Sequence, residues 1–193
     1  LAGLTLIKAT PLIFAALGGV LAERSGVVNI GLEGIMTAGA FAAVCVAGST
    51  GNPLLGALAG LAAGAATAAI LAFVATRLAF DQIVAGTGVN VVALGAAAFG
   101  LVLVYGQPGA SREVPAFGPA GEAGLTALAL IAAVALAPFL ERTPWGLRVR
   151  ACGENPRAAA SAGIDPLRTR FWSVVAGGAI AALGGVYLSL AEL

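Results

Sequence analysis

An all-α, polytopic transmembrane helical bundle of about six spans is the fold class this sequence predicts, and three observations carry the prediction. Of its 193 residues 60% are apolar and 10% are charged, against about 25% charged in an ordinary soluble domain. The charges are also segregated: uncharged runs cover 9–22, 34–76, 82–111, 123–140 and 171–191, and about 20 apolar residues suffice to cross a bilayer core. Finally, 28 glycines and 46 alanines supply the small faces on which helices pack in lipid, where burial of apolar surface gives little drive for association. Collagen is excluded by the lack of a Gly-x-y period, and disorder by the scarcity of polar residues.

The first run predicts a helix over 5–22. The 34–76 run is too long for one helix, and Gly48-Ser49-Thr50-Gly51-Asn52-Pro53 in its middle is a turn cluster with Pro53 placed to open the next helix. It therefore divides into helices over 32–48 and 54–76. Further spans are expected at 83–105, 123–140 and 171–191. The first two are short on uncharged length, because Lys8 and Glu23 bracket one and Glu33 enters the other. A broken or re-entrant segment is expected there, and irregular backbone at membrane depth is tolerated only where it is buried in protein or lines a cavity. No basic leader with a cleavage site opens the chain, so a secretory signal peptide is not expected. Because the chain begins at Leu1, an extreme terminus is expected to precede it.

Orientation follows from the alternate connections. One side holds Arg24, Arg77, Arg142, Arg148, Arg150, Arg157, Arg168 and Arg170, the other Lys8 and Arg112. The arginine-rich side is expected to be cytoplasmic, with the N-terminus and the 106–122 loop outside. Within the helices, Gly56, Gly60 and Gly64 share one face, and Gly177, Ala181 and Gly185 repeat the spacing. Both read as packing faces, with a sliding surface for conformational change as the functional alternative.

Several chemistries are excluded. A formal charge of +1 provides no basic field for nucleic acid. The absence of His removes imidazole ligands and Ser-His-Asp hydrolysis. Cys45 and Cys152 are too far apart in sequence to suggest a metal site or a structural disulfide. The only lysine is Lys8, so no phosphate loop of the form G-x-x-x-x-G-K-[ST] exists. Gly86-Thr87-Gly88 lacks the third glycine and the preceding strand of a dinucleotide site.

Polar residues at membrane depth are costly and mark candidate sites. Here these are Asn29, Glu33, Thr87 and Asn90. In Asn29-Ile30-Gly31-Leu32-Glu33-Gly34 the asparagine is placed to cap a helix whose first turn holds Glu33. The alternative is that Gly31 and Gly34 open the backbone to a cavity, with Asn29 and Glu33 bonding a polar solute. Asn90 divides between an interhelical hydrogen bond and a solute contact. The 141–170 loop holds six of the ten basic residues. Within it Asn155 can cap, Pro156 can take the first helical position, 157–162 are helix formers, and Gly163 can supply a left-handed stop. A helix this short needs tertiary support, which suits insertion into a partner's groove. The alternative is a lipid-facing basic loop that sets orientation alone.

These residues resemble a known family. Glu23-Arg24-Ser25-Gly26-Val27-Val28-Asn29-Ile30-Gly31-Leu32-Glu33-Gly34-Ile35-Met36, with Thr143-Pro144-Trp145-Gly146-Leu147-Arg148 and Gly153-Glu154-Asn155-Pro156-Arg157-Ala158-Ala159, is similar to ABC importer permeases. The similarity is to the branched-chain amino acid, ribose and nucleoside permease family, and within it to the nucleoside or simple-sugar branch. It implies one permease domain over 1–193 of a multi-pass cell-membrane protein, with a cytoplasmic coupling loop over 141–170. It further implies a second permease subunit, two cytoplasmic ABC ATPase subunits and an extracytoplasmic solute-binding protein. ATP would be used by those partners, this chain binding no cofactor and catalysing no reaction. The coupling residues would be Arg148, Arg150, Glu154, Asn155, Pro156, Arg157, Ala158, Ala159 and Gly163. Arg157 stands where the family's importer motif has Glu, which alters the polar contact with the ATPase. Asn29 to Gly34 would lie beside the solute path. Family members carry further spans, so an end at Leu193 is expected to cut the family's domain short. The alternatives are a branched-chain amino acid permease, a secondary transporter or channel in which Glu33 alone could couple ions, and a structural subunit without a pathway.

Overall fold

A computed structural model describes residues 2–106 and 114–191, and among them only helices and their connections occur. The helices are α1 (Ala2–Arg24), α2 (Leu32–Thr50), α3 (Pro53–Thr76), α4 (Gln82–Tyr105), α5 (Pro119–Arg142), α6 (Pro144–Glu154), α7 (Pro156–Ser161) and α8 (Pro166–Leu190). All but α6 and α7 are long and apolar enough to cross a membrane, and the chain is a multi-pass membrane protein. Both doubtful spans are continuous helices. Even α2, with 19 residues, rises about 28 Å against a hydrocarbon core of about 30 Å. The break anticipated near Glu33 lies instead between α1 and α2.

Capping chemistry, not charge, sets the helix starts. Asn52, Asp81, Thr143, Asn155 and Asp165 each accept a hydrogen bond from a backbone N–H of the helix that follows, and four of the five are followed by Pro at the first helical position. This corrects two boundaries. The last span begins at Pro166, not 171, because Arg168 and Arg170 are accommodated in its first turns. The 141–170 segment is also mostly helical: α6, unanticipated, is announced by Thr143-Pro144. Arg112, Pro108 and Gly109 of the 106–122 loop lie outside the described residues.

The central helix is α8, which packs against α1, α2 and α3; α2 and α3 pair closely, α4 lies on α2, and α5 on α1. The buried surface is built from small residues, among them Ala43, Ala47, Ala68, Ala72, Ala181 and Ala182. Gly56, Gly60 and Gly64 are buried on α3, and a Cβ at Gly60 would sit 2.7 Å from the carbonyl oxygen of Gly39 on α2. Gly177 faces the backbone of Gly18, and Gly185 that of Met36. Large apolar side chains such as Phe73, Val91, Phe99, Leu103, Ile131 and Val134 point outward, the arrangement expected when the solvent is lipid. In the half away from the arginine-rich end Thr10 on α1 donates to Thr126 on α5 at 3.1 Å, and the Tyr187 hydroxyl of α8 lies 3.4 Å from both Thr126 Oγ1 and Glu122 Oε1.

Candidate functional site

The sequence resemblance rests on two stretches about 110 residues apart, and the fold brings them together at the arginine-rich end. The first is the α1–α2 connection. α1 ends in a Schellman turn: Val27 N–H donates to Ala22 O at 3.3 Å and Gly26 N–H to Glu23 O at 2.9 Å, with Gly26 at φ +87°. Beyond it the chain leaves helical geometry, so its backbone polar groups need partners that a bilayer does not offer. One face of α4 supplies them. Gln82, Gly86 and Asn90 are spaced by four and so align. Gln82 Oε1 accepts from Val28 N–H at 2.7 Å. Gly86 packs against Ile30 and Gly31, where a Cβ would lie 2.9 Å from Gly31 N. The Asn90 carboxamide accepts from Gly34 N–H at 2.7 Å and donates to Ile30 O at 3.0 Å.

This corrects the capping expectation. The residue before α2 is Gly31, which has no side chain to cap with, and Asn29 instead accepts from Gly31 N–H at 3.0 Å. The orphan N–H of Gly34 in the first turn is met from another helix, by Asn90. Asn29 itself is 5% exposed, and its Nδ2 has no hydrogen-bond partner among the described residues. Glu33 points the other way. With Leu32, Met36 and Thr37 of α2, Ala15 of α1 and Gly185 and Leu188 of α8, it lines a groove of about 430 Å³. Thr87 is exposed, and its hydroxyl is shared between the carbonyls of Ile83 and Val84 in its own helix at 3.0 Å. A larger cavity of about 590 Å³ between α2, α3 and α4 has Thr67 as its one polar side chain, and that hydroxyl bonds back to Ala63 O.

The second stretch is α6 and α7. Thr143 Oγ1 accepts from Gly146 N–H at 3.0 Å to start α6, and Gly146, Val149 and Cys152 form its buried face. Val149 packs with Leu21 and Leu140. Asn155 Oδ1 accepts from Ala158 N–H at 3.0 Å to start α7. Gly163, at φ +81°, ends it: Ile164 N–H reaches Ala159 O and Gly163 N–H reaches Ala160 O, each at 3.0 Å. Ala159 is 4% exposed, whereas Arg157, Ala158, Ala160, Ser161 and Gly163 are exposed and Pro156 is half-buried. Arg148, Glu154 and Asn155 are exposed on α6 and at its end, and Arg150 is half-buried, its Nε without a hydrogen-bond partner among the described residues.

Two contacts join the stretches. Gly153 of α6 packs so closely on the Arg24 carbonyl that a Cβ could not be accommodated. Arg170 of α8 donates from Nε to Ser25 O and from Nη2 to Cys152 O, both at 3.0 Å. Sequence reasoning singled out neither Gln82 nor Arg170 as a site residue. The spacing of Gln82 with Gly86 and Asn90 could have revealed the first; nothing in the sequence distinguishes the second.

Comparison with known proteins fits this arrangement. Residues 2–192 match the family described as branched-chain amino acid transport system / permease component. The chain is 40% identical over 213 residues to the guanosine ABC transporter permease protein NupQ of Bacillus subtilis, covering 98% of this chain and 67% of that protein. Identity to the nucleoside ABC transporter permease protein NupC of Lactococcus lactis is 37%, over 93% of this chain and 64% of the relative. Identity to the putative glucose ABC transporter permease protein TsgC13 of Haloferax volcanii is 34%, over 97% and 61% respectively. The chain thus spans about two thirds of the length of these relatives. No solved structure gives a significant match. Because the family match runs along nearly the whole of this chain and the relatives are 34–40% identical, the chain belongs to the branched-chain amino acid transport system permease family.

Proposed function

We propose that this chain is the transmembrane permease subunit of an ATP-binding-cassette importer that moves a nucleoside, or a simple sugar, inward by alternating access. No bond in the solute is made or broken. Nucleosides come first because the relatives at 40% and 37% identity are named for guanosine and nucleosides, the one at 34% for glucose. The partners in this reading are two cytoplasmic ATPase subunits that hydrolyse ATP, a second permease and an extracytoplasmic solute-binding protein.

The observation that carries the reading is the seating of α7. Its buried foot, Ala159, rests on the bundle while Arg157, Ala158, Ala160 and Ser161 face outward, and α6 leads from it to the backbone of Arg24 beside the α1–α2 connection. A push on the outer face of α7 therefore has a short covalent and packed route to the irregular segment. The eight arginines at that end favour the cytoplasm, where an ATPase can reach α7. Arg148, Arg150, Glu154 and Arg157 supply charge around the docking face, and Asn155, Pro156 and Gly163 set its geometry. For the solute, the Glu33 carboxylate in the groove between α1, α2 and α8 suits hydroxyl and ring N–H groups, which need hydrogen-bond partners when they leave water. The apolar cavity between α2, α3 and α4 does not.

The test is affinity isolation of the detergent-solubilised protein with identification of co-purifying chains, followed by reconstitution in ATP-loaded vesicles with labelled guanosine, glucose and leucine. Uptake of guanosine that requires ATP and survives a proton ionophore is expected. Uptake that collapses with the proton gradient while ATP is plentiful would show a secondary transporter and refute the reading.

A further inference from the structure

How a push on α7 reaches the α1–α2 connection is answered by a side chain outside both resemblance stretches. We propose that Arg170 is a positioning residue that clamps the end of α1, the end of α6 and the start of α8 into one moving body; the inference rests on the ATP-driven reading above. Its two acceptors have a common character. Ser25 O follows the last residue of α1, and Cys152 O lies in the last turn of α6. Helix C-termini carry carbonyls without intrahelical partners and about half a negative charge. The guanidinium therefore sits between two negative helix ends. Ser25 and Cys152 are both fully buried, so water does not compete for these carbonyls.

The guanidinium is the group this joint needs. Its donors form a rigid planar fork, so one side chain fixes the direction of both carbonyls relative to α8. A lysine has the charge but not the fork. The neighbouring backbone is shaped to the clamp: a Cβ at Gly26 would lie 2.9 Å from Arg170 Nη2, and one at Gly153 would lie 3.3 Å from Gly26 N. Arg168, two residues earlier, pairs with Asp165 at the surface at 3.4 Å, so the role is particular to Arg170. Downstream the connection is held by a different helix, through Gln82 and Asn90 of α4. Movement of the clamped body against α4 must then be absorbed by the residues between the two sets of bonds, 26 and 27.

The experiment uses the complete transporter, reconstituted with its ATPase and binding protein and reading labelled guanosine taken up per ATP hydrolysed. Arg170→Lys is the conservative variant, and Arg170→Met keeps the apolar stem while removing the donors. Both are expected to assemble and to hydrolyse ATP near the wild-type rate while uptake per ATP falls by about tenfold or more, the range of ordinary coupling between sites. An unchanged ratio in both variants overturns the proposal. So does a parallel loss of assembly, hydrolysis and uptake, which would mark a purely structural contact. Hydrogen exchange on the purified chain separates this proposal from the reading beneath it. Faster exchange over 25–31 in Arg170→Lys, together with a wild-type chain that recruits no ATPase, would leave the joint standing and sink the ATP-driven function. Unchanged exchange there would remove the joint itself.

Discussion

Asn90→Ala removes a side chain through which α4 holds the α2 end of the irregular segment, and its cost can be worked out bond by bond. The substitution leaves Gly34 N–H, now bonded at 2.7 Å, and Ile30 O, now bonded at 3.0 Å, without partners. Interhelical hydrogen bonds in membranes contribute about 0.6 kcal/mol on average and up to about 1.7. Leaving a buried donor or acceptor unsatisfied costs about 1–3 kcal/mol. With two groups orphaned and Gly34 buried in the first turn of α2, a local loss of about 2–4 kcal/mol follows. At 1.4 kcal/mol per decade this accelerates amide exchange over 31–36 by about 30- to 700-fold, with exchange in the middle of α8 little changed. The assay is hydrogen–deuterium exchange with mass spectrometry on the protein in detergent micelles. Thr87→Ala is the internal control. It lies one turn from Asn90 but bonds only its own helix, so exchange over 31–36 should stay within about twofold. If Asn90→Ala exchanges like Thr87→Ala, the carboxamide bridge does not hold the start of α2.

Gly163→Pro cannot adopt the φ of +81° that ends α7, and Ala159→Trp puts a large ring at a 4% exposed position; both should abolish ATP-dependent uptake while membrane insertion, followed by fractionation, is retained. Gly60→Ala should lower the SDS-unfolding midpoint by an overpacking cost of about 1–3 kcal/mol, because its Cβ would approach the Gly39 carbonyl to 2.7 Å; an unchanged midpoint would show that α2 and α3 can separate without cost. Glu33→Gln tests the groove with Thr37. If the carboxylate bonds a solute hydroxyl, the transport KM should rise by about 10- to 100-fold, since hydrogen bonds to charged groups contribute about 1.5–3 kcal/mol, and an unchanged KM would place the solute elsewhere.

How much of this was legible in the sequence depended on the physical scale of the signal. Spans were legible because lipid demands about 20 apolar residues whatever the fold, and a charge-free run records that directly. Helix ends were less so. Counting charge placed the start of α8 too late, whereas Asp165-Pro166 and Thr143-Pro144 carried the capping signal that fixes both α8 and α6. The α1–α2 break was legible as a region, since Asn29 and the paired glycines stand out against an apolar background. Its holders were not. Gln82 and Arg170 act through backbone atoms 54 and 145 residues away, and a backbone acceptor leaves no trace in the sequence of the segment that bears it. Thr87 stood out by the same rule as Asn90, polarity at membrane depth, and only the helix face separated a bridging side chain from one that bonds its own turn.

That asymmetry yields a last prediction. The groups through which the α1–α2 connection and the start of α2 bond to α4 and α8 are Ser25 O, Val28 N, Ile30 O and Gly34 N, all main-chain atoms; Val27 packs in the core, while the side chains of Val28 and Ile30 are 47% and 39% exposed. The specificity of the joint therefore resides in the residues that reach it, not in the exposed residues within it. Val28→Ala and Ile30→Ala should shift the SDS-unfolding midpoint by no more than about 0.5 kcal/mol, as surface substitutions do. Gln82→Leu, of similar size, leaves Val28 N–H without its 2.7 Å acceptor and should cost about 0.5–1.5 kcal/mol, the net contribution of a hydrogen bond. Should Val28→Ala prove as costly as Gln82→Leu, the segment is held by its own side chains and packing. The bolts on α4 and α8 would then be incidental, and a push on α7 would have no rigid point to work against.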